Sequence, residues 1–388
     1  MQSADNQKSE TEGFDLARCD VHFCLVSGQP DINLLPVTQY RPRLVVLFVS
    51  EEMREAAENL KKAIRITVPG VRFEEVGISD AWSFAGNRDL IFDVLAEHEG
   101  ERAAFNVTGG TKMLSFAALT AAWTAGVPAF YLNHNDGSIS VIAMDREAER
   151  IRTDAVSVNL RSYFSAHGVE VAAITSVPTL NAKAGERIAW ILKQESMRKA
   201  VPMLNFLASG LEGRQSLSAD TACFEGSPNL AQFDQLCDYF QEMGRLRVQG
   251  RRIIFRNDAD RFFAAGGWLE EHVASVLASI GLRPGSNVRV LRAGVENEID
   301  VAFLHKDCLT LVECKTSNLT DVAEANKVIY KLETLRKFGG LKCRLVLVSY
   351  QPLAAHALKR AAEAGIEVIS DRRLRDLAGE FRRIISQD

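Results

Sequence analysis

The sequence predicts an α/β protein in three parts. These are a doubly wound, mostly parallel sheet at the N-terminus, a helical, winged-helix-like middle and a second α/β unit at the C-terminus. Three observations predict it. Short apolar runs alternate with helical patterns from about Cys19 to Ala143. The periodicity weakens around residues 153–182 and resumes as helices followed by an arginine-rich hairpin. From Gly267 a helix, three strand-like runs and a further helix and strand follow in order, with another helix and strand added at the end. The expected divisions are a tail over 1–18, a first domain over 19–165, a connector over 166–257 and a last domain over 258–388.

The chain has 388 residues, enough for two to three domains at roughly 100–200 residues each. Hydrophobic residues make up 47% and charged residues 25%, so a large core needs no staple and a disordered or fibrous chain is excluded. The 46 basic and 50 acidic side chains leave a net charge of −4, so any nucleic-acid binding must come from a local patch. The seven cysteines are odd in number and contain no C-x-x-C pair. Reduced thiols in a cytoplasmic protein are expected. The polar N-terminus has no apolar signal core and reads as a frayed tail. The uncharged stretch 113–133 carries Ser115, Thr120, Thr124, Gly126 and Pro128, which suits a helix followed by a strand better than a membrane span.

In the first domain, residues 21–27 and 44–50 read as buried strands. Residues 52–66 form an amphipathic helix and 71–76 a weaker strand. A helix over 89–98, a strand over 103–107 and a helix over 112–125 continue the alternation, and strands over 128–132 and 139–143 end it. Ligands on such sheets bind outside the carboxyl ends of the strands. There the run Asn106-Val107-Thr108-Gly109-Gly110-Thr111-Lys112 joins a strand to a helix. The glycines permit a close backbone approach, the helix start offers free N–H groups, the threonines add hydroxyls and Lys112 a cation. This suits a phosphate. The plain alternative is a strand–helix turn capped by Thr111. Neither the Walker A spacing nor G-x-G-x-x-G is present, so NAD is not favoured. The loop Ser27-Gly28-Gln29-Pro30 lies at the same edge and can grip a phosphate or base through Ser27 and Gln29.

In the middle, residues 184–194, 197–211 and 229–243 read as helices, and 245–256 as a hairpin around Gln249-Gly250. Five arginines (245, 247, 251, 252 and 256) fall there. They suit a nucleic-acid backbone or, more plainly, a solvated or hinge-like charged face.

In the last domain a helix over 267–280 carries Glu270 and Glu271. Strands over 287–291, 298–304 and 309–315 follow, with the turn at 305–307. A helix over 322–338, a strand over 345–349, a helix over 354–364 and a strand over 367–370 complete the order. Glu313 and Lys315 lie two apart on one strand and face the same way, and the hairpin brings Asp300 beside them. Carboxylates in an apolar sheet repel unless a cation lies between them. A hard divalent ion, Mn²⁺ or Mg²⁺, takes such oxygens, with the Cys314 backbone carbonyl and Glu270 as further donors. Lys315 then orients or helps deprotonate water, or stabilises charge on a phosphate. The plain alternative is a salt-bridged strand pair. Cys314 is expected on the opposite, packed face.

These motifs carry a resemblance. The last third, with G-G-W-L-E-E (266–271), E-N-E-I-D-V (296–301) and L-V-E-C-K-T (311–316), resembles the PD-(D/E)xK nuclease superfamily. The superfamily's proline before Asp300 is absent. The first domain resembles the Rossmann-like CARF sensors, whose N-V-T-G-G-T-K and S-x-Q loops line a cyclic oligoadenylate pocket. Together they look like the type III CRISPR ancillary nucleases. The resemblance implies a homodimer activated by cyclic tetra-adenylate. It implies metal-dependent cleavage of DNA, and in some members of single-stranded RNA, without sequence preference; that no membrane partner is expected comes from the sequence itself. It places catalysis on Asp300, Glu313 and Lys315 with Glu270 in support, and ligand binding on Ser27, Gln29, Asn106, Thr108, Gly109, Gly110, Thr111 and Lys112. A two-fold ring fits a C2 dimer that offers it two identical loops. A nucleotide-responsive DNA-binding regulator with a merely structural last domain is the competing reading, and an activator-independent nuclease the next.

Overall fold

The computed structural model describes residues 15–133, 136–142, 149–152, 158–176, 180–306, 308–319, 321–340 and 342–386. The chain forms two compact units that divide between Gly168 and Val169.

In the first unit, strand β1 (Val21–Leu25) is buried throughout. Helix α1 (Asp31–Tyr40) follows, an element absent from the sequence reading. It contains Pro36 and is buried at every position from Asp31 to Val37, so no helical alternation of polar and apolar residues marks it. Next come β2 (Leu44–Ser50) and α2 (Arg54–Thr67), which buries Ala57, Leu60, Ala63 and Ile64 on one side. The alternation continues through β3 (Arg72–Ile78), α3 (Phe84–Glu97), β4 (Ala103–Asn106), α4 (Lys112–Thr124) and β5 (Ala129–Leu132). Strands β6 (Ser138–Ile142) and β7 (Glu149–Arg152) and helix α5 (Leu160–Ala166) end the unit. Ala143, expected in the strand of β6, lies outside the described residues.

The sheet order is β3-β2-β1-β4-β5-β6-β7. The first five strands are parallel and the last two antiparallel. From β1 the chain winds outward to β3, then returns to place β4 on the other side of β1. At that reversal the loops after β1 and β4 part and leave a crevice. The core beneath it stacks Phe105 between Phe23 and Phe48, with ring centroids 5.7 and 5.5 Å apart. Each such ring contributes about 1.5–3 kcal/mol through burial. Helix α4 buries Ala117, Ala118, Ala121 and Ala122, small side chains that let it lie close to the sheet. Thus the uncharged stretch 113–133 is a packed helix and strand. Among the described residues no helix is long and apolar enough to cross a membrane.

The second unit begins with β8 (Glu170–Ser176), also missed from sequence. Helices α6 (Ala182–Lys193), α7 (Met197–Ser209) and α8 (Leu230–Glu242) follow, with β9 (Ser218–Asp220) between the last two. The hairpin β10 (Arg247–Gln249) and β11 (Arg252–Ile254) pairs with β9 in a small antiparallel sheet. Helix α9 (Asp258–Phe262) leads through a π-turn, Phe263–Gly267, into α10 (Trp268–Ser279). Strands β12 (Gly285–Arg292), β13 (Val295–His305) and β14 (Cys308–Lys315) precede α11 (Val322–Leu335). Then come β15 (Arg344–Ser349), α12 (Ala355–Glu363), β16 (Ile366–Ser370) and α13 (Leu377–Ile385). Asp307, expected in the β13–β14 turn, lies outside the described residues.

The large sheet runs β16-β15-β14-β13-β12-β8. It is parallel from β14 to β16 and antiparallel from β14 back to β8. One continuous core joins this sheet to the middle helices: Ile188, Leu204 and Phe233 belong to the same cluster as Val301, Val312 and Phe381. Three hairpin-region arginines are consumed internally. Arg245 pairs with Asp260 and Glu271, Arg256 with Asp260 and Arg251 with Glu225. Among the described residues, Arg247 and Arg252 are the two of the five without an ion pair. No disulfide links the seven cysteines; six are buried and Cys223 is exposed.

Candidate active site and ligand cleft

The backbone ladder between β13 and β14 reaches Val301–Val312 at one end. One residue beyond, the Asp300 side chain takes over: its Oδ2 accepts the Cys314 N–H at 2.7 Å. Glu313 and Lys315 share a face of β14, as strand alternation requires. Lys315 Nζ lies 2.7 Å from Glu313 Oε1. Cys314 packs with Val312 and Val348 on the opposite face, and burial holds its thiol well above the usual range. A second lysine, Lys331 of α11, donates to both Glu313 oxygens at 2.9 and 2.7 Å. The sequence reading did not single it out.

The two glutamates at the start of α10 face different surroundings. Glu271 accepts from Arg245 at 3.0 Å. Glu270 is set among Asp300, Lys315, Glu298 and Glu313. The π-turn before α10 fixes this arrangement. Gly266 adopts φ +139°, and a Cβ there would fall 2.6 Å from Thr316 Oγ1. A Cβ at Gly267 would strike the Phe262 ring at 2.5 Å. This is the physical content of the Gly-Gly-Trp-Leu-Glu-Glu run.

The cluster is electrostatically strained. Burial, aided by Asp300 and opposed by Lys315, pushes the Glu270 carboxyl up to about 9. Burial and then Glu313 raise Asp300 to about 6, against Lys315, Lys331 and the Cys314 N–H. Burial disfavours charge on Lys315, but Asp300 and Glu313 outweigh it and hold the ammonium charged beyond its usual range. Carboxyls driven toward neutrality beside a third carboxylate form a deficit that a hard divalent cation relieves, and the donors are oxygens. By charge and donor type the residues fit such an ion. As the side chains stand, no group of three or more His, Cys, Asp and Glu among the described residues is disposed to hold one. Both Glu313 oxygens are already engaged by lysines.

At the crevice of the first unit, a cleft of about 440 Å³ opens between the loops after β1, β2, β3 and β4. Ser27, Gly28, Gly110 and Thr111 line it, together with Asp80 and Trp82. Gln29 and Lys112 are exposed on the same loops. Gly109 is forced by proximity, since a Cβ there would lie 2.3 Å from the Leu25 carbonyl. Gly110 adopts φ +77°. Several residues expected to bind ligand are engaged in holding the loop. Asn106 is fully buried; its Nδ2 donates to the Ile32 carbonyl at 2.8 Å and to Asn33 Oδ1 at 2.9 Å. Its Oδ1 accepts from the Thr108 hydroxyl at 2.6 Å. Thr108 Oγ1 also accepts the Leu132 N–H at 2.8 Å. Thr111 caps α4 by accepting from Leu114 N at 3.1 Å and donates to the Ala81 carbonyl at 2.7 Å. Trp82, 69% exposed, was not anticipated; its only sequence signal is the Asp-Ala-Trp-Ser turn after a strand.

Residues 21–163 match the family model described as the Card1 CARF domain. Residues 257–386 match the Card1-like endonuclease domain. The chain belongs to the Card1-like proteins, a CARF domain followed by an endonuclease domain. No curated protein matches it. Among solved structures, this Card1-like chain is similar to protein VC1899 from Vibrio cholerae. The two share 22% identity with a TM-score of 0.84, over 94% of this chain and 98% of the other. It is also similar to Can2 from Sulfobacillus thermosulfidooxidans, solved with cyclic tetra-adenylate, at 21% identity and TM-score 0.73, over 95% and 98%. A type III CRISPR defence DNA nuclease activated by cyclic oligoadenylate shares the fold at 18% identity and TM-score 0.52, over 87% of this chain and 46% of that one. The crevice therefore belongs to the CARF domain, and the acid–lysine cluster to the endonuclease domain.

Proposed function

We propose that this Card1-like protein is a metal-dependent nuclease of type III CRISPR defence, gated by cyclic tetra-adenylate and working as a homodimer on DNA, with single-stranded RNA as a second substrate. The observation that carries this reading is the buried set Glu270, Asp300, Glu313 and Lys315, three carboxyls and an ammonium at the end of β13 and β14. The structural likeness to Can2 and to an oligoadenylate-activated DNA nuclease supports the choice of ligand.

In the CARF domain, the exposed Lys112 and the free N–H groups at the start of α4 face anionic phosphate. Ser27 and Gln29 supply polar contacts from the β1 loop, with the Gly109 and Gly110 backbone opposite. Asn106 and Thr108 serve by fixing that backbone. Trp82 offers a flat apolar face to a purine. A ring with two-fold symmetry engages two copies of the loop, and its tighter binding to the active arrangement shifts the population.

In the endonuclease domain, Glu270, Asp300, Glu313 and the Cys314 carbonyl would hold Mn²⁺ or Mg²⁺, which supplies Lewis-acid polarisation of the phosphodiester. Asp300 and Glu313 hold the Lys315 ammonium charged, which suits it to stabilise charge building on the phosphate or to orient the attacking water. The Cys314 N–H holds the Asp300 carboxylate in one orientation. Glu270, pushed up to about 9 in the metal-free cluster, would serve a bound ion as a carboxylate.

The deciding experiment incubates the full chain with labelled single-stranded DNA, single-stranded RNA and supercoiled plasmid, with Mn²⁺ or Mg²⁺, with and without cyclic tetra-adenylate. Cleavage that requires both the ion and the nucleotide is expected, and the three substrates rank themselves. Cleavage without nucleotide would remove the gating. Nucleotide binding with no cleavage anywhere would leave a DNA-binding regulator.

A further inference from the structure

Glu313 carries more positive charge than its own motif supplies. Lys315, two residues on, approaches Oε1 alone, at 2.7 Å. Lys331 reaches across from α11 and takes both oxygens, at 2.9 and 2.7 Å. Its stem leaves from a helix that is well anchored: Asp321 caps it through the Glu324 N–H at 3.0 Å, and Val328, Ile329 and Leu332 are buried. The Glu313 side chain is 2% exposed and that of Lys331 is 36% exposed. The ammonium of Lys331 therefore closes Glu313 off from the solvent side, and its long stem has an outward path.

We propose that Lys331 is the resident counter-ion of Glu313, a positioning residue that an arriving divalent cation must displace. The proposal rests on the metal-dependent reading above. A divalent ion and an ammonium on one carboxylate repel at short range, so one must leave. Lys315 is the more enclosed of the two, at 30% side-chain exposure, and is rooted in the β14–β15 ladder opposite Ser349. Lys331 is the one free to swing away. Until then it keeps a buried carboxylate paired, which an unpaired site would pay for heavily in stability. Lys331 thus sets the metal concentration at which the site loads, and the competition is reciprocal.

The test measures Mn²⁺ binding to the full chain from the loss of the free-ion electron paramagnetic resonance signal, with no substrate present. The proteins are wild type, Lys331→Met, Lys331→Gln, Lys331→Arg and Glu313→Gln. Removing the competing charge is expected to tighten Mn²⁺ binding about tenfold in Lys331→Met and Lys331→Gln. Lys331→Arg keeps the competitor and stays near wild type, and Glu313→Gln loses the site. The metal-induced rise in melting temperature is also expected to be larger in Lys331→Met than in wild type. Lys331→Gln retains a donor for Glu313 and preserves the test if the Met variant does not fold. Unchanged or weaker Mn²⁺ binding in both neutral variants, with wild-type binding still dependent on Glu313, would overturn the role of Lys331 alone. Wild-type binding indifferent to Glu313→Gln would overturn the metal site itself, and this proposal with it.

Discussion

In the CARF crevice the polar side chains are bound to the fold: Asn106 holds α1 and Thr108, Thr108 holds β5, and Thr111 holds α4 and the loop after β3. In the endonuclease cluster the polar side chains are bound mainly to one another, and two carboxyls are pushed toward neutrality by burial and neighbouring charge. The first site is satisfied without a ligand and offers a preformed loop. The second is held by lysines, by one backbone N–H and by carboxyls raised toward their protonated form. A sensor that must recognise a shape and a catalyst that must hold charge store their readiness differently.

The sharpest way to break this contrast is at the cluster. Glu313→Ala and Lys315→Ala are each expected to lower cleavage by at least about 10²-fold while nucleotide binding is retained. Turnover of labelled substrate and calorimetric titration with the nucleotide measure the two quantities separately. Retained cleavage in both variants would place the chemistry elsewhere.

At the crevice the vulnerable atom is a missing one. Gly109→Ala drives a Cβ into the Leu25 carbonyl and is expected to weaken nucleotide binding about tenfold or more and to cost about 1–3 kcal/mol of stability. Gly28→Ala, with nothing within 4 Å of the new Cβ, is the matched control and should leave stability unchanged. Equal effects would mean that the loop's tight approach is not what prepares the site.

The smallest effect sharpens the electrostatic half. Glu270 at about 9 and Asp300 at about 6 both lie above their ordinary values of 4.5 and 3.8. These two carboxyls hold more protons in the folded state than in the unfolded chain, so their contribution to stability falls as pH rises from about 4 to about 9. Up to about pH 6.5 the buried His22 and His272, held down to about 4, work the other way, and above it the fall is unopposed by them. The melting temperature of the metal-free protein should drop by a few degrees between about pH 6.5 and 9. Glu270→Gln should flatten the slope above about pH 7, past the titration of Asp300 at about 6. A melting temperature that climbs through the same range would contradict the strained cluster.

Much of this was legible in the sequence because it rests on short-range rules. Strand alternation put Glu313 and Lys315 on one face, and the hairpin put Asp300 beside them. The Gly-Gly pair marked a close approach, and the buried strands announced themselves as apolar runs. The unread parts depend on contacts far apart in the chain. Helix α1 is buried along its first seven residues and has no polar face to betray it. Strand β8 reaches its partner β12 across more than one hundred residues. Lys331 belongs to no local motif; only the packing of α11 on β14 brings it to Glu313. Asn106 was expected at the ligand only through the family resemblance of its loop, and the hydrogen bonds that tie it into the fold come from residues seventy-three and seventy-four positions away.

Strand β8 has one more consequence. The endonuclease family match starts at residue 257, yet the sheet that carries Asp300 and Glu313 takes its sixth strand from residues 170–176, and its core from helices that begin at Ala182. Where homology stops is not where folding stops. A fragment cut at the edge of the match would shed a strand, expose the edge of β12 and uncover one wall of the core. The smallest piece of this chain that keeps that sheet and its core whole therefore begins at about Val169.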